Sequence, residues 1–331
     1  MLKAGKLDSD LLKEIVFDKI TYRNDDVKVR PGIGEDCAVV DFGQYECVMS
    51  TDPITAAVND IGRLAIHITC NDIASNGVEP LGIMLAVMLP EGTTEDDVEH
   101  IMGQAAKTAA EIQVEIVGGH TEITPAVKQP VIVSTAIGKA LADTSQNGND
   151  MEAGDYIMMT KAVGLEGTGI IACDHEKRLA DLLTDEEITR AKTFLDLVSV
   201  VKEGVAAGKV GTHGMHDITE GGILGAVWEM CQISRKGAQL WEETIPIEPE
   251  TEKICKTFDI DALRLISSGS MVIIVPPDMK EAMERAMAYA GVRLSIIGRV
   301  EEEEYGVKLL SCSGENCEIQ PPGADEIYKV V

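Results

Sequence analysis

The chain has 331 residues, 45% of them apolar and 26% charged, the proportions of a soluble globular protein with too much apolar surface for intrinsic disorder. Lys and Arg total 29 against 56 Asp and Glu, a formal net charge of −27. So acidic a chain is repelled by phosphate backbones and anionic membranes, which excludes general nucleic-acid and membrane-surface binding, while a nucleotide can still be held where a divalent cation stands between carboxylate and phosphate.

The first periodic segment predicts a helix over residues 9–20, with Asp8 as N-cap. A glycine-rich turn follows at 31–36. Residues 37–41 and 46–50 read as strands around a Gly43 turn. Residues 59–76 read as a helix buried on most sides and closed by Asn76-Gly77. Residues 81–89 form an apolar strand ended by Pro90; this is the longest apolar run, too short to span a bilayer. Thr94 and Asp97 make a capping box opening a helix over 95–112. A strand at 114–117 leads into Gly118-Gly119-His120, and 130–140 is a further strand. The polar, glycine-bearing stretch 143–154 marks a domain boundary, dividing the chain into 1–145 and 146–331.

The second half repeats the alternation. A strand at 155–160 precedes a glycine turn and a helix at 166–173. Thr184 and Glu187 form a second capping box for a helix to about Leu197, and another helix over 198–207 stops at Gly208. A helix over 220–234 begins on Gly221-Gly222. A strand at 271–275, a helix at 279–290 and a strand at 294–300 follow. Each half is therefore an α/β or α+β layer structure. The N-terminus has no apolar core of a signal peptide. The eight cysteines include no C-x-x-C pair and mostly sit in apolar stretches, which suits reduced thiols and a cytoplasmic protein. Cys312 and Cys317, in a polar segment, are the exception, and two ligands make no structural zinc site. Cys317 reads as part of a final strand followed by a loose end.

Four places carry acids suited to chemistry: Gly34-Glu35-Asp36, Ser50-Thr51-Asp52, Asn71-Asp72 and His216-Asp217. Asp36 precedes a strand, Asp52 follows one, and Asp72 lies in a buried helix, where an unpaired charge costs several kcal/mol. Each alone can be a cap; together they are what a protein needs to hold Mg²⁺ for a nucleotide. Gly118-Gly119-His120-Thr121 after a strand can bring backbone amides to a phosphate or can be a plain turn. Gly221-Gly222 at a helix start can face an anion or can allow close helix packing. No Walker A, Rossmann or G-x-S-x-G pattern is present. His67 reads as a core histidine; His120, His213 and His216 lie beside glycines and are better candidates. The run 301–304 reads as a solvated acidic turn.

The order of these motifs, Gly-Ile-Gly-Glu-Asp at 32–36, Ser-Thr-Asp at 50–52, Asn-Asp-Ile-Ala at 71–74, Gly-Gly-His-Thr at 118–121 and His-Asp-Ile-Thr-Glu-Gly-Gly at 216–222, resembles the AIR synthase (PurM-like) superfamily over nearly the whole chain. Within it the chain is most similar to the hydrogenase-maturation HypE branch, through Asp-Ile-Gly-Arg-Leu-Ala at 60–65, the Gly-Gly loop and Ile-Gly-Arg-Val at 297–300. The resemblance implies a two-domain fold, with an N-terminal sheet-plus-helices domain that forms a barrel-like homodimer and a C-terminal α/β domain. It implies ATP and Mg²⁺ as cofactors. By the same resemblance Asp36, Asp52 and Asp72 are metal ligands, His120 and Asp217 are catalytic, and Gly34, Asn71, Gly118, Gly119, Thr121, Gly221 and Gly222 bind the nucleotide. The implied activity is ATP-dependent phosphoryl transfer to a substrate oxygen, on a small molecule or a protein tail, with maturation proteins as partners. Three departures touch HypE chemistry: the sequence ends Glu326-Ile327-Tyr328-Lys329-Val330-Val331 without the terminal cysteine, His120-Thr121-Glu122 stands for Asp-Thr-Lys, and Ser268-Gly269 stands for Glu-Gly. The expectation is thus a HypE-like paralogue with ATP chemistry. A non-catalytic nucleotide-binding maturation partner, and a selenophosphate synthetase- or thiamine-phosphate kinase-like phosphotransferase, are the alternatives.

Overall fold

The computed structural model describes residues 7, 9–32, 34–55, 58–146 and 150–330; Asp8, Ile33 and residues 147–149 of the boundary stretch lie outside the described residues. Helix α1 (Ser9–Ile15) is shorter than the sequence predicts and gives way to a 3-10 turn over Phe17–Lys19. Ile15, Val16 and Ile20 are exposed, so no packing extends so short a helix.

Strands β1 (Val27–Val29), β2 (Ala38–Asp41) and β3 (Tyr45–Ile54) lead to helix α2 (Ile61–Ser75); β4 (Pro80–Leu89), α3 (Glu95–Glu111), β5 (Glu115–Ile123) and β6 (Val131–Leu141) complete the first half. The six strands form one sheet in the order β1-β2-β3-β6-β4-β5, antiparallel except for β4 and β5. α3 starts on the predicted capping box, Thr94 Oγ1 accepting from the Asp97 N–H and Asp97 from the Thr94 N–H. β3 runs four residues past the expected end because β6 supplies partners as far as Ile54↔Ile132. Asp52 therefore sits inside a strand, opposite Ser134. α2 and α3 cover one face of this sheet. Leu81, Met84, Val117, Ile123 and Leu141 of its strands are exposed.

The second half runs β7 (Tyr156–Thr160), α4 (Leu165–Asp174), α5 (Glu176–Leu179), α6 (Asp185–Lys192), α7 (Val201–Val210), β8 (Gly214–Asp217), α8 (Gly222–Ser234), β9 (Gly237–Trp241), α9 (Pro249–Phe258), β10 (Met271–Val275), α10 (Lys280–Ala290), β11 (Leu294–Glu301), β12 (Val307–Leu310) and β13 (Asn316–Glu318). Its seven strands are ordered β13-β12-β9-β11-β7-β10-β8, with only β9 and β12 parallel. The mainly antiparallel pairing in both sheets makes this the α+β form. α8 packs on one face of the second sheet, and α7 and α10 on the other, so β10 is buried along its whole length. The short elements β1, α5, β8, β9 and β12 are absent from the sequence reading; their runs are too brief for periodicity and are specified by pairing and packing instead. The ten-residue α9 is also absent from it, whereas the final strand expected around Cys317 is β13.

The halves meet where α2 packs against α7 and β8. The expected stop at Gly208 does not occur: α7 runs through it and ends at Gly211, whose φ is +97°. Gly208 instead permits contact, since a Cβ there would lie 2.5 Å from the Gly77 Cα. The expected loose C-terminal end is also corrected. After β13 the chain folds back, buries Ile319, Ile327 and Val330, and closes with a 3-10 turn at Glu326–Lys329.

Candidate active site

Five residues from both halves converge. The loop before β2 crosses onto α8, with Gly34 (φ +72°) so close that a Cβ would meet Ile233 Cδ1 at 2.5 Å. This brings Asp36 beside the end of β8, where its Oδ2 is 3.5 Å from His216 Nδ1. Asp52 comes from β3 and Asp72 from the second half of α2, which packs on both β3 and β8. Asp217 is the last residue of β8 and is 1% exposed. One ligand atom each of Asp36, His216 and Asp217 lies within 4.8 Å of the others.

The electrostatics of this cluster are those of several acids packed together largely out of water. Burial, followed by the charges of Asp52, Asp217 and Asp36, raises the Asp72 carboxyl well above the usual carboxylate range. Ser50 Oγ donates to Asp72 Oδ2 at 2.5 Å. Among the described residues, the buried Asp52 Oδ2 has no hydrogen-bond partner. Burial opposes the charged form of His216, but Asp36, Glu229 and Asp217 outweigh it and hold the imidazole up to about 10. His216 Nδ1 donates to the Asp217 carbonyl at 2.6 Å, and Nε2 faces Glu229 Oε2 at 3.5 Å. With Nδ1 committed to the Asp217 carbonyl, the ring faces the acids as a hydrogen-bond donor, and when it carries its second proton it is a countercharge to them. The carboxylates Asp36, Asp52, Asp72 and Asp217 fit a hard divalent cation such as Mg²⁺. The adjacent Cys37 thiol is pushed well up by burial and by these four acids, so it is no ready nucleophile.

The other sequence-predicted residues lie elsewhere. Asn71 does not face the cluster: its Nδ2 donates to the Val198 carbonyl and its Oδ1 accepts from the Val200 N–H, both at 2.8 Å. It is a buried staple between the halves. Gly118, Gly119, His120 and Thr121 form no loop; they continue β5, and all four are exposed. Gly119 (φ +149°) is required by β4, because a Cβ would sit 2.0 Å from the Leu85 carbonyl oxygen. Asp52, Ser134, Leu85 and Gly119 are successive partners across the sheet, so the Gly-Gly-His-Thr segment is three strands, about 14 Å, from Asp52 in the same chain. Among the described residues, His120 Nε2 faces Glu122 Oε2, at 3.4 Å. At the start of α8 the Gly221 N–H is taken by Asp325 Oδ2 at 2.7 Å, and Gly222 is packed against the Leu263 carbonyl; close packing, the plainer of the two readings, describes this pair. His67 is a neutral core histidine, lowered to about 4 by burial, with Arg63 and Lys161 adding to it.

Two residues of the site were missed by sequence reasoning. Glu229 is the one charged side chain in the largely apolar α8 sequence, and that isolation was a usable signal. Ser50 lay inside a noted motif, but its bond to Asp72 spans 22 residues and has no local signature.

Two family models match: the AIR synthase related protein N-terminal domain over residues 34–140 and the C-terminal domain over 152–309. The chain belongs to the AIR synthase related family, and its fold is the two-domain PurM-like arrangement of mixed sheets and helices, here in the α+β form. Among its relatives, a protein of Methanocaldococcus jannaschii named for hydrogenase expression/formation is 29% identical, the alignment covering 99% of this chain and 97% of the relative. Carbamoyl dehydratase HypE of Bradyrhizobium diazoefficiens is 30% identical over 77% of this chain and 73% of its own. The solved HypE–HypF complex contains a chain with a TM-score of 0.78 and 25% identity, covering 94% of this chain and 99% of that one. HypE in complex with ATP gives a TM-score of 0.73 at 22% identity, covering 98% and 97%. The chain is thus a HypE-like member of the family.

Proposed function

We propose that this chain is a Mg·ATP-dependent enzyme that activates a substrate oxygen by phosphoryl transfer. The observation that carries this reading is the convergence of Asp36, Asp52, Asp72 and Asp217 in a largely buried cluster built from both halves. Bound Mg·ATP supplies the transferable phosphoryl group and offsets the repulsion among the acids. Asp36, Asp52 and Asp72 would hold the metal from the N-terminal half, and Asp217 would face it from the C-terminal half. His216 orients Asp36 and Asp217 through its ring and keeps the cluster from carrying its full negative charge before ligand arrives. Transfer of this kind is mainly positioning and charge neutralisation. The acceptor's C–O bond would then break with its oxygen leaving in phosphate, while the neighbouring atom gives up its proton and forms a new π bond to that carbon, so that the sum is loss of water from the acceptor with ADP and phosphate as products. The ATP complex of a HypE neighbour and the HypE–HypF complex support nucleotide binding and a maturation partner. The gap between the last strand of the first sheet, ending at Leu141, and the first of the second, starting at Tyr156, supports domains over 1–145 and 146–331.

The reading includes a homodimer. Leu81, Met84, Val117 and Ile123 leave apolar surface on β4 and the edge strand β5, and a second copy would cover them. Light scattering should give about 71 kDa, twice 35.6 kDa; a mass of one chain at micromolar concentration contradicts the dimer. For the activity, ATP should raise Tm only with Mg²⁺ present, and ADP should appear on incubation with acceptor. Binding without any turnover across acceptors would instead make the chain a nucleotide-binding partner, and a Mg²⁺-independent ATP shift would remove the metal assignment.

A further inference from the structure

We propose that the C-terminal segment 319–330 is part of the active-site scaffold, with Asp325 a positioning residue for the His216–Asp217 pair. The inference rests on the function proposed above for its consequence, and on geometry alone for the arrangement. Asp217 ends β8, and residues 218–221 carry the backbone from there to α8. This connection has no ladder of its own. It is held near one end by the Ile218 N–H donating to the Ser270 carbonyl at 2.8 Å. At the other end the Gly221 N–H donates to Asp325 Oδ2 at 2.7 Å. The turn into α8 uses left-handed backbone at Gly221 (φ +88°) and Gly222 (φ +61°), so it needs outside ties to keep one conformation.

Asp325 supplies that tie and links it to a third segment. Its Oδ1 accepts from the Ile266 N–H at 3.2 Å and from the Ile327 N–H at 2.8 Å. The carboxyl group is 104 residues from Gly221 in sequence and 3% exposed. One side chain thus joins the start of α8, the strap before β10 and the closing turn of the chain. A carboxylate at the positive end of α8 is also favoured by the helix dipole. The surrounding segment is clamped independently. Glu326 Oε2 accepts from the Asp261 N–H at 3.1 Å, Tyr328 donates to Glu220 Oε1 at 2.9 Å, and Pro322 packs against Gly221. Ile327 and Val330 are buried in the core that contains α2 and α4 residues. With Asp325 removed, two backbone N–H groups from distant elements lose their acceptor, and the α8 end of the loop behind Asp217 keeps the Tyr328–Glu220 bond and the Pro322 contact but loses its tie through a backbone N–H.

The test compares wild type, Asp325→Ala, Asp325→Asn and a control in the same segment, Glu326→Gln. Amide exchange over residues 214–225 should accelerate in Asp325→Ala and less in Asp325→Asn, and stay as in wild type in Glu326→Gln. This readout needs no ligand, so it stands even if wild type binds no Mg·ATP, an outcome that would remove the functional reading alone. Where wild type binds, calorimetry should show Mg·ATP affinity about 10-fold weaker in Asp325→Ala, the scale seen when a partner orienting a metal ligand is lost. In Glu326→Gln affinity should stay within about twofold, below that range. Should Asp325→Ala not fold, Asp325→Asn carries the comparison. Exchange confined to 319–330 with 214–225 unchanged, or equal losses of affinity in Asp325→Asn and Glu326→Gln, would overturn the proposal.

Discussion

Glu166 offers a sharp test of how burial sets charge in this chain. It sits in the first turn of α4, 5% exposed, and its Oε2 has no hydrogen-bond partner among the described residues. Burial pushes the carboxyl from 4.5 up to about 7, against the pull of Ser268 and with the charges of Asp325 and Glu220 adding to the rise. In the unfolded chain it ionises near 4.5, so between 4.5 and 7 the folded state binds the extra proton. Stability therefore falls as pH rises through that window and is not affected by this group below it. The gap, 7 − 4.5 = 2.5 pH units at about 1.36 kcal/mol each, amounts to about 3 kcal/mol at pH 8.5. Glu166→Gln keeps the shape of the protonated acid and cannot ionise. Thermal and urea unfolding at pH 5.0 and 8.5 should show the variant within about 1 kcal/mol of wild type at the lower pH and about 3 kcal/mol more stable at the higher. That corresponds to a Tm about 4–6 °C higher for a chain of this size. An equal difference at both pH values would refute the reasoning, because it would mean the substitution acts through packing rather than charge.

Asp72→Asn should leave Tm without ligand unchanged or raised, since it removes one member of a repelling buried set, and should abolish most of the Mg·ATP-dependent increase in Tm; an undiminished increase speaks against a metal ligand at this position. Asn71→Leu strips partners from the Val198 carbonyl and Val200 N–H, at about 1–3 kcal/mol each, so urea unfolding should register a loss of about 2–6 kcal/mol. A neutral result there would mean the two halves are joined by other means. Gly208→Val forces α7 away from Gly77 and should cost about 1–3 kcal/mol or more; calorimetry should show the two halves melting less cooperatively, and a single unshifted transition would deny the contact its role.

The helices on capping boxes were legible because their signal is local: Thr94 with Asp97 and Thr184 with Glu187 satisfy N–H groups three residues away. The acids at 36, 52, 72 and 217 were legible as a set, since charges in otherwise apolar stretches need a partner wherever the chain places them. Local rules failed where a distant neighbour competed. Gly118-Gly119 reads as a turn, but eight consecutive residues of β4 offered pairing and drew it into a strand. Gly208 reads as a helix stop, yet its missing side chain serves Gly77 across the junction. Asn71 reads as a nucleotide contact, and both its amide atoms are spent on backbone more than 120 residues away. The sequence by itself determined the chemistry available: the acids, the glycines and the helices that carry them. Only the tertiary structure decided which acids share a site, which glycines face another backbone, and that Asp325 rather than a ligand occupies the start of α8. A hydrogen bond between residues 104 apart depends on the whole path of the chain between them, and no window of sequence contains that path.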